Sequence, residues 1–370
     1  MKEIRIVIVL FLQLAVISCA PDKGKQWSIK KINNWYQEQP WLVGANYVPS
    51  NAINPLEMWQ PATFSPELID KELGYAESLG FTTMRIFLAY LPWQEDAEGY
   101  YQRVDQFLEI CSMHDIRPRF VFFDDCWHPV PRSGKQPEPL KGIHNSGWVQ
   151  CPGAEILGNP GRHDELKPYV QGFLKRFGKD KRVLTWDLYN EPGNPNYNYQ
   201  EMEVNEKATF SLLLLKKAFE WAREIDPDQP ISVDVWSLGE GGLDQMSEID
   251  RYAWENSDYI NFHIYMDSTS TAKAIQTLQA SGRPLICTEY MARTTGSTFF
   301  SILPLFKEHK IGAINWGFVD GKSQTLYPWD SWEKAYENEP ELWFHDILRQ
   351  DGTPYSQEEI NIIKKLTRDN

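Results

Sequence analysis

Residues 185–195 read TWDLYNEPGNP. With Val183 and Leu184 ahead of it, the stretch begins as a strand should: β-branched and aromatic residues stand on both sides of one aspartate, Asp187. It stops abruptly at Asn190-Glu191-Pro192. A buried-looking strand therefore delivers an amide and a carboxylate at its very end. Pro192 locks the backbone that follows and biases Glu191 itself toward an extended conformation.

Working outward from this strand, short apolar runs alternate with helical stretches. The runs lie near Trp41–Tyr47, Phe81–Leu88, Ile116–Phe123, Val183–Tyr189, Ile231–Trp236, Tyr259–Tyr265, Pro284–Tyr290 and Gly312–Phe318. Helices are expected between them: one opened by Ser65-Pro66-Glu67 with proline in its first turn, then about Tyr101–His114, a stretch ending at Phe177, Glu201–Glu224, Thr271–Ala280 and Phe299–His309, with terminal helices beyond Glu341. A long loop rich in Pro and Gly, Asp124–Arg162, follows the third strand. Eight such alternations imply parallel strands with crossover helices. Over some 330 residues this is the size of a single-domain (β/α)₈ barrel. A doubly wound sheet would carry a glycine-rich phosphate turn after its first strand, and VGANYVPSN is not one.

The 370 residues include 42% apolar side chains, enough for a sizeable core, and carry a net charge of −14. That acidity argues against nucleic acid or an anionic membrane surface as a partner. Aromatics are abundant, with 15 Trp, 17 Tyr and 18 Phe. Most will fill the core, but the flat face of tryptophan also suits the C–H face of a sugar ring. Lys2 and Arg5 precede an apolar run, Ile6–Ile17, broken only by Gln13. It is too short to span a bilayer and reads as a signal peptide over residues 1–18. The run ends in Val16-Ile17-Ser18-Cys19, which resembles a bacterial lipobox, so Cys19 is the expected lipidation site and residues 19–34 a tether, with the domain at 35–370. This makes the chain an exported bacterial lipoprotein that meets the membrane through its anchor alone. Cys111, Cys126, Cys151 and Cys287 show no metal-ligand spacing, though Cys126 and Cys151 bracket one loop and a disulfide there is possible.

In a barrel the active site lies where strands end. The fourth ends in Asn190-Glu191, the sixth in His263-Ile264-Tyr265, the seventh in Thr288-Glu289-Tyr290 and the eighth in Asn315-Trp316, and the second carries Arg85. Glu191 and Glu289 are 98 residues apart, which is three βα units, so they face each other across the mouth. Two carboxylates about 5–5.5 Å apart are the arrangement for retaining glycoside hydrolysis, one attacking the anomeric carbon and one donating a proton.

On these residues the chain resembles the clan A glycoside hydrolases, and within them glycoside hydrolase family 5, from about Trp41 onward. The resemblance implies Glu191 as acid/base, Glu289 as nucleophile, Asn190 on the sugar's 2-hydroxyl, Arg85 against the nucleophile, His263 and Tyr265 beside it, and Trp316 as the floor of the −1 subsite. It implies no metal and no cofactor. The family usually has a histidine just after the third strand. Here the strand runs into FFDDCWHPVP, with Asp124 and Asp125 near that position and His128 later; either His128 folds back into the site or the sugar is read differently. Asn46 and Tyr47 end the first strand and line the pocket or pack. Trp127, Trp148 and Trp236 are candidate sugar platforms. Glu240 reads as a solvated turn residue, and a second Asn-Glu-Pro at 338–340 follows no strand and is set aside. The expected activity is double-displacement cleavage of β-mannan, β-glucan or xylan by a monomer, with an internal cut favoured over an exo-acting β-glycosidase. Binding of glycan without catalysis is the rival outside enzymes.

Overall fold

A computed structural model describes residues 24–236 and 243–368. The expected signal peptide, Cys19 and Glu240 lie outside these. Eight strands close into one parallel barrel in chain order: β1 Val43–Asn46, β2 Thr83–Phe87, β3 Arg119–Asp124, β4 Thr185–Asn190, β5 Ile231–Val235, β6 Ile260–His263, β7 Leu285–Glu289 and β8 Gly312–Asn315. Every strand is buried along its length, as expected of strands enclosed by helices outside and side chains within. The eight expected runs each contain one strand or most of it. The apolar mass lies between barrel and helices, where Trp186 stacks on Phe120 and Phe122.

Two departures from regular pairing occur, and both lie beside the site. The β4–β5 register shifts between Asp187 and Asn190, and the β6–β7 register between Phe262 and His263. Such irregularities re-aim side chains. Tyr189 turns outward to Asp125, while Asn190 and Asp187 both face the barrel interior and Arg85.

The sequence reading needs correction at both ends. Residues 27–34, expected as tether, belong to the fold. Trp27 is buried with Ile32, Leu42 and Ile314 beneath the barrel, Trp27 N donates to Asp258 at 2.7 Å, and a helix runs Ile29–Gln37 with Ser28 capping it. The long helix expected from Glu201 starts at Lys207, after a 3₁₀ segment at Tyr197–Met202. Among the described residues beyond Glu341 there is one α-helix, Gln357–Thr367. The second Asn-Glu-Pro lies in the long β8 loop, where Glu339 is salt-bridged to Arg349 at 2.7 Å, far from a catalytic setting. Among the described residues no helix is long and apolar enough to cross a membrane.

Candidate active site

Arg85 organises the floor of the mouth. Fully buried, it donates to Glu289 at 3.0 Å, Asn46 at 2.8 Å, Asn190 at 2.7 Å and Asp234 at 2.9 Å. Below it Arg119 meets Asp187 and Asn261, and Thr288 donates to Asp234 at 2.6 Å. Buried charges must be paired to be tolerated, and here two guanidiniums and several carboxylates pair with one another. Asn46 thereby acts on Arg85 instead of on the cavity: its amide donates to Thr288 O and Asn315 O. Tyr47 reaches the buried Glu72.

Above this floor the two glutamates face each other. One oxygen of Glu191, one of Glu289 and a ring nitrogen of His263 all lie within 4.8 Å of one another. Tyr265 OH donates to Glu289 at 2.8 Å. His263 Nδ1 stands 2.6 Å from Glu191 and 3.5 Å from Glu289. Asn194 Nδ2 donates to Glu191 at 2.5 Å, and the Cys126 thiol lies 3.0 Å from the same oxygen. The trio would offer ligand atoms to a metal ion, but the arginine against Glu289 already neutralises the charge that such an ion would meet.

The electrostatics divide the labour. Burial pushes the Glu289 carboxyl up to about 7, with the charge of Glu191 adding to the rise and His263 and Arg85 opposing it. Burial raises Glu191 as well, against the donors Cys126 and Asn194. The pair titrates together, and within it Glu289 is the carboxyl held by the guanidinium at 3.0 Å and the phenol at 2.8 Å. Burial lowers His263, so the imidazole is neutral. A neutral imidazole faces Glu191 as acceptor when that residue is an acid and as donor when it is a carboxylate, which suits a group that gives and later takes a proton.

Because burial raises both carboxyls of the pair, Glu289 to about 7 from an ordinary 4.5, the form in which the pair keeps a proton is the stabilised one. That contribution is complete below pH about 4.5 and is lost as pH rises through 7. Glu289→Gln should therefore gain on the native chain between pH 5 and pH 8, by on the order of 3 kcal/mol. Parallel unfolding free energies at the two pH values would refute this.

Glu191 corrects the backbone expectation. Its φ is +45°, left-handed and not extended. Local pre-proline preference is overridden by hydrogen bonds on both sides: Glu191 N to Asp234 O at 2.8 Å, Asn194 N to Glu191 O at 3.0 Å, and Gly193 N to the Asp125 carboxylate at 2.7 Å. Asp125 is thus a backbone anchor for the Asn-Glu-Pro turn. Asp124 ends β3, near where the resemblance led to the expectation of a histidine. It binds Asn190 Nδ2 at 2.9 Å and Trp148 Nε1 at 2.7 Å, and burial pushes it up to about 6. His128 does not fold back: its ring meets Val130 N and Tyr199 instead. Cys126 and Cys151 are both free.

The residues expected at the site are otherwise brought together. A cavity of about 460 Å³ is lined by Asn190, Glu191, His263, Tyr265, Glu289 and Trp316, and also by Trp127, Trp148 and Trp236, a size typical of small-ligand sites. Sequence reasoning missed Asp234, Cys126, Asn194, His144 and Trp329. Asp234 alone carried a signal, a charge in the middle of the apolar strand ISVDV.

No family model matches the chain, and no curated protein matches it in sequence. Solved structures do match in fold. The GH5_18 enzyme of Streptomyces cattleya, in complex with Manβ1-4GlcNAc, aligns with TM-score 0.57 at 12% identity over 89% of this chain and 80% of that one. An exo-β-1,4-mannosidase from Opitutaceae bacterium strain TAV5 aligns with TM-score 0.57 at 18% identity over 89% and 59%. The endo-1,4-β-D-mannanase of Thermotoga petrophila RKU-1 aligns with TM-score 0.54 at 12% identity over 89% and 99%. The fold is that of these barrels, in agreement with the resemblance drawn from the strand-end residues.

Proposed function

We propose that this chain hydrolyses β-linked glycans with retention of anomeric configuration. The carboxylate pair carries the reading. Oxygens within 4.8 Å leave no room for the water that an inverting enzyme holds between its carboxyls at about 6.5–9.5 Å. Glu289, ionised beside Arg85 and Tyr265, attacks the anomeric carbon. The glycosidic C–O bond breaks as Glu191 passes its proton to the leaving oxygen. Glu191, now a carboxylate, then takes a proton from a water that attacks the glycosyl-enzyme, freeing the sugar and Glu289. Asn190, fixed between Arg85 and Asp124, supports the 2-hydroxyl of the reacting sugar, and Trp316 forms its platform. The names of the fold neighbours, mannanases and a mannosidase among them, favour β-mannosides, ahead of β-glucan and xylan. A barrel that only bound glycan would have no need of one carboxylate set against a guanidinium and a second against a neutral imidazole.

Glu191→Gln tests the assignment. With oligosaccharides its rate should fall about 10²–10⁴-fold, as expected on removing an acid/base. With dinitrophenyl β-glycosides the first step needs no proton, so glycosyl-enzyme should accumulate as a burst. Equal losses on both substrates would refute the role of Glu191, and silence of the native chain on every glycoside would refute the enzyme.

The proposal extends to location. The basic start, the short apolar run and Cys19 support an exported lipoprotein that acts as a monomer on glycan outside the cytoplasm. A diacylglycerol adduct on Cys19, read by mass spectrometry of the mature chain, is the expected result; an unmodified N-terminus would overturn it.

A further inference from the structure

The loops after β3, β4 and β8 are joined to one another around the mouth. The β3 and β8 loops exchange main-chain bonds, Asn145 N to Ser323 O at 2.9 Å and Tyr336 N to Gly142 O at 3.0 Å. Trp332 Nε1 donates to His144 O at 2.8 Å, and Gln324 Nε2 to Leu140 O at 2.8 Å. The approach is close enough that a Cβ on Gly142 would lie 1.9 Å from Tyr336 O, so this seam depends on glycine. Trp127 stacks on Trp332 with centroids 5.6 Å apart and planes at 21°. Tyr199 of the β4 loop meets the same tryptophan edge-on at 5.5 Å, and Trp127 N donates to Asn196 at 3.2 Å.

These contacts make a continuous wall. Trp316 lies against it, 5.5 Å from Trp148, and Asn190 bonds to Asp124 at its foot. The groups that hold the reacting sugar therefore stand on the walled side. On the far side β6 passes to its helix, Ser268–Leu278, through residues 264–267 alone, too short a link to raise a second wall. Tyr197, which lines the cavity yet is 77% exposed, stands at the lip.

We infer that the site is a blind pocket that accepts the non-reducing end of its glycan and releases the terminal unit, so cleavage is exo and not internal. The inference rests on the hydrolase reading for its chemistry. The enclosed sugar is the one whose anomeric carbon bonds to Glu289. The bond broken is the one to the emerging chain, whose oxygen takes the proton of Glu191, and the wall leaves no path for a further sugar on the non-reducing side. This departs from the internal cut favoured on sequence, because the long β3 loop is zipped to its neighbours.

The test uses the full chain and borohydride-reduced β-1,4-linked tri- to hexasaccharides of mannose, glucose and xylose. Each is supplied free and capped at the non-reducing terminus, by a 4,6-O-benzylidene group on mannose and glucose and by a 4-O-benzyl ether on xylose. The expected result is that the monosaccharide is the only unreduced sugar released from the first time point, beside the reduced chain shortened one unit at a time, and that the terminal cap abolishes cleavage. Unreduced products of several lengths, or cleavage indifferent to the cap, overturn the pocket. If nothing is cut, the hydrolase reading fails, and calorimetry of Glu191→Gln with the same pairs decides the pocket separately. Binding lost on capping upholds it; binding equal for both, or absent for both, rejects it.

Discussion

Glu289→Ala is expected to lose at least about 10⁴-fold in kcat/KM, since removal of an attacking group that acts in concert with its partners costs most of the rate enhancement. The deletion leaves a small space beside two donors, the Arg85 guanidinium and the Tyr265 hydroxyl. A small anion fits that description. Azide added with a dinitrophenyl β-glycoside should restore turnover by attacking the anomeric carbon from the face Glu289 occupied, and the product should be the α-glycosyl azide. In Glu191→Ala the enzyme nucleophile remains, so azide intercepts the glycosyl-enzyme from the opposite face and the product should be the β-glycosyl azide. Proton NMR of the two azides separates the roles. A β-azide from the Glu289 variant would show that the assignment is reversed.

Arg85→Met should be the most destabilising single change at the site. The methionine nearly matches the arginine in length but leaves Asp234 and Glu289 without the guanidinium that lies 2.9 and 3.0 Å from them, and Asp187 without the one at 3.5 Å. Breaking a buried pair on one side costs about 3–5 kcal/mol, because the remaining charge is uncompensated. Urea unfolding should show a lower midpoint with unchanged slope. Lowering the pH should recover part of the loss, since protonating the abandoned carboxyls removes the uncompensated charge. A variant as stable as the native chain at pH 8 would mean that the interior solvates these carboxylates by other means.

The barrel was legible because its strands are written twice. β4 shows both an apolar run and an abrupt polar stop, and β6, β7 and β8 repeat the pattern with His263, Glu289 and Asn315. Those stops are also the site, so fold and catalytic residues were read together. What local sequence could not show was contact made by loops that fold back. Cys126 and Asn194 reach Glu191 only because the β3 and β4 loops converge, and His128 turns away for the same reason. The helix Ile29–Gln37 escaped notice since its composition is polar and Ile32 is its one buried residue. Glu191 shows a local rule losing to its surroundings: the residue before a proline disfavours compact backbone, yet three hydrogen bonds from β5 and the turn hold it left-handed.

The plug beneath the barrel has a consequence for orientation. Trp27 is fastened to Asp258 and Arg283 at the end of the barrel opposite the carboxylates. From the lipid proposed on Cys19 to Gly24 is a span of five residues, at most about 18 Å when extended. Such an anchor would hold the molecule by its base, close to the bilayer, with the pocket opening directly away from the lipid surface and toward whatever chain ends diffuse past.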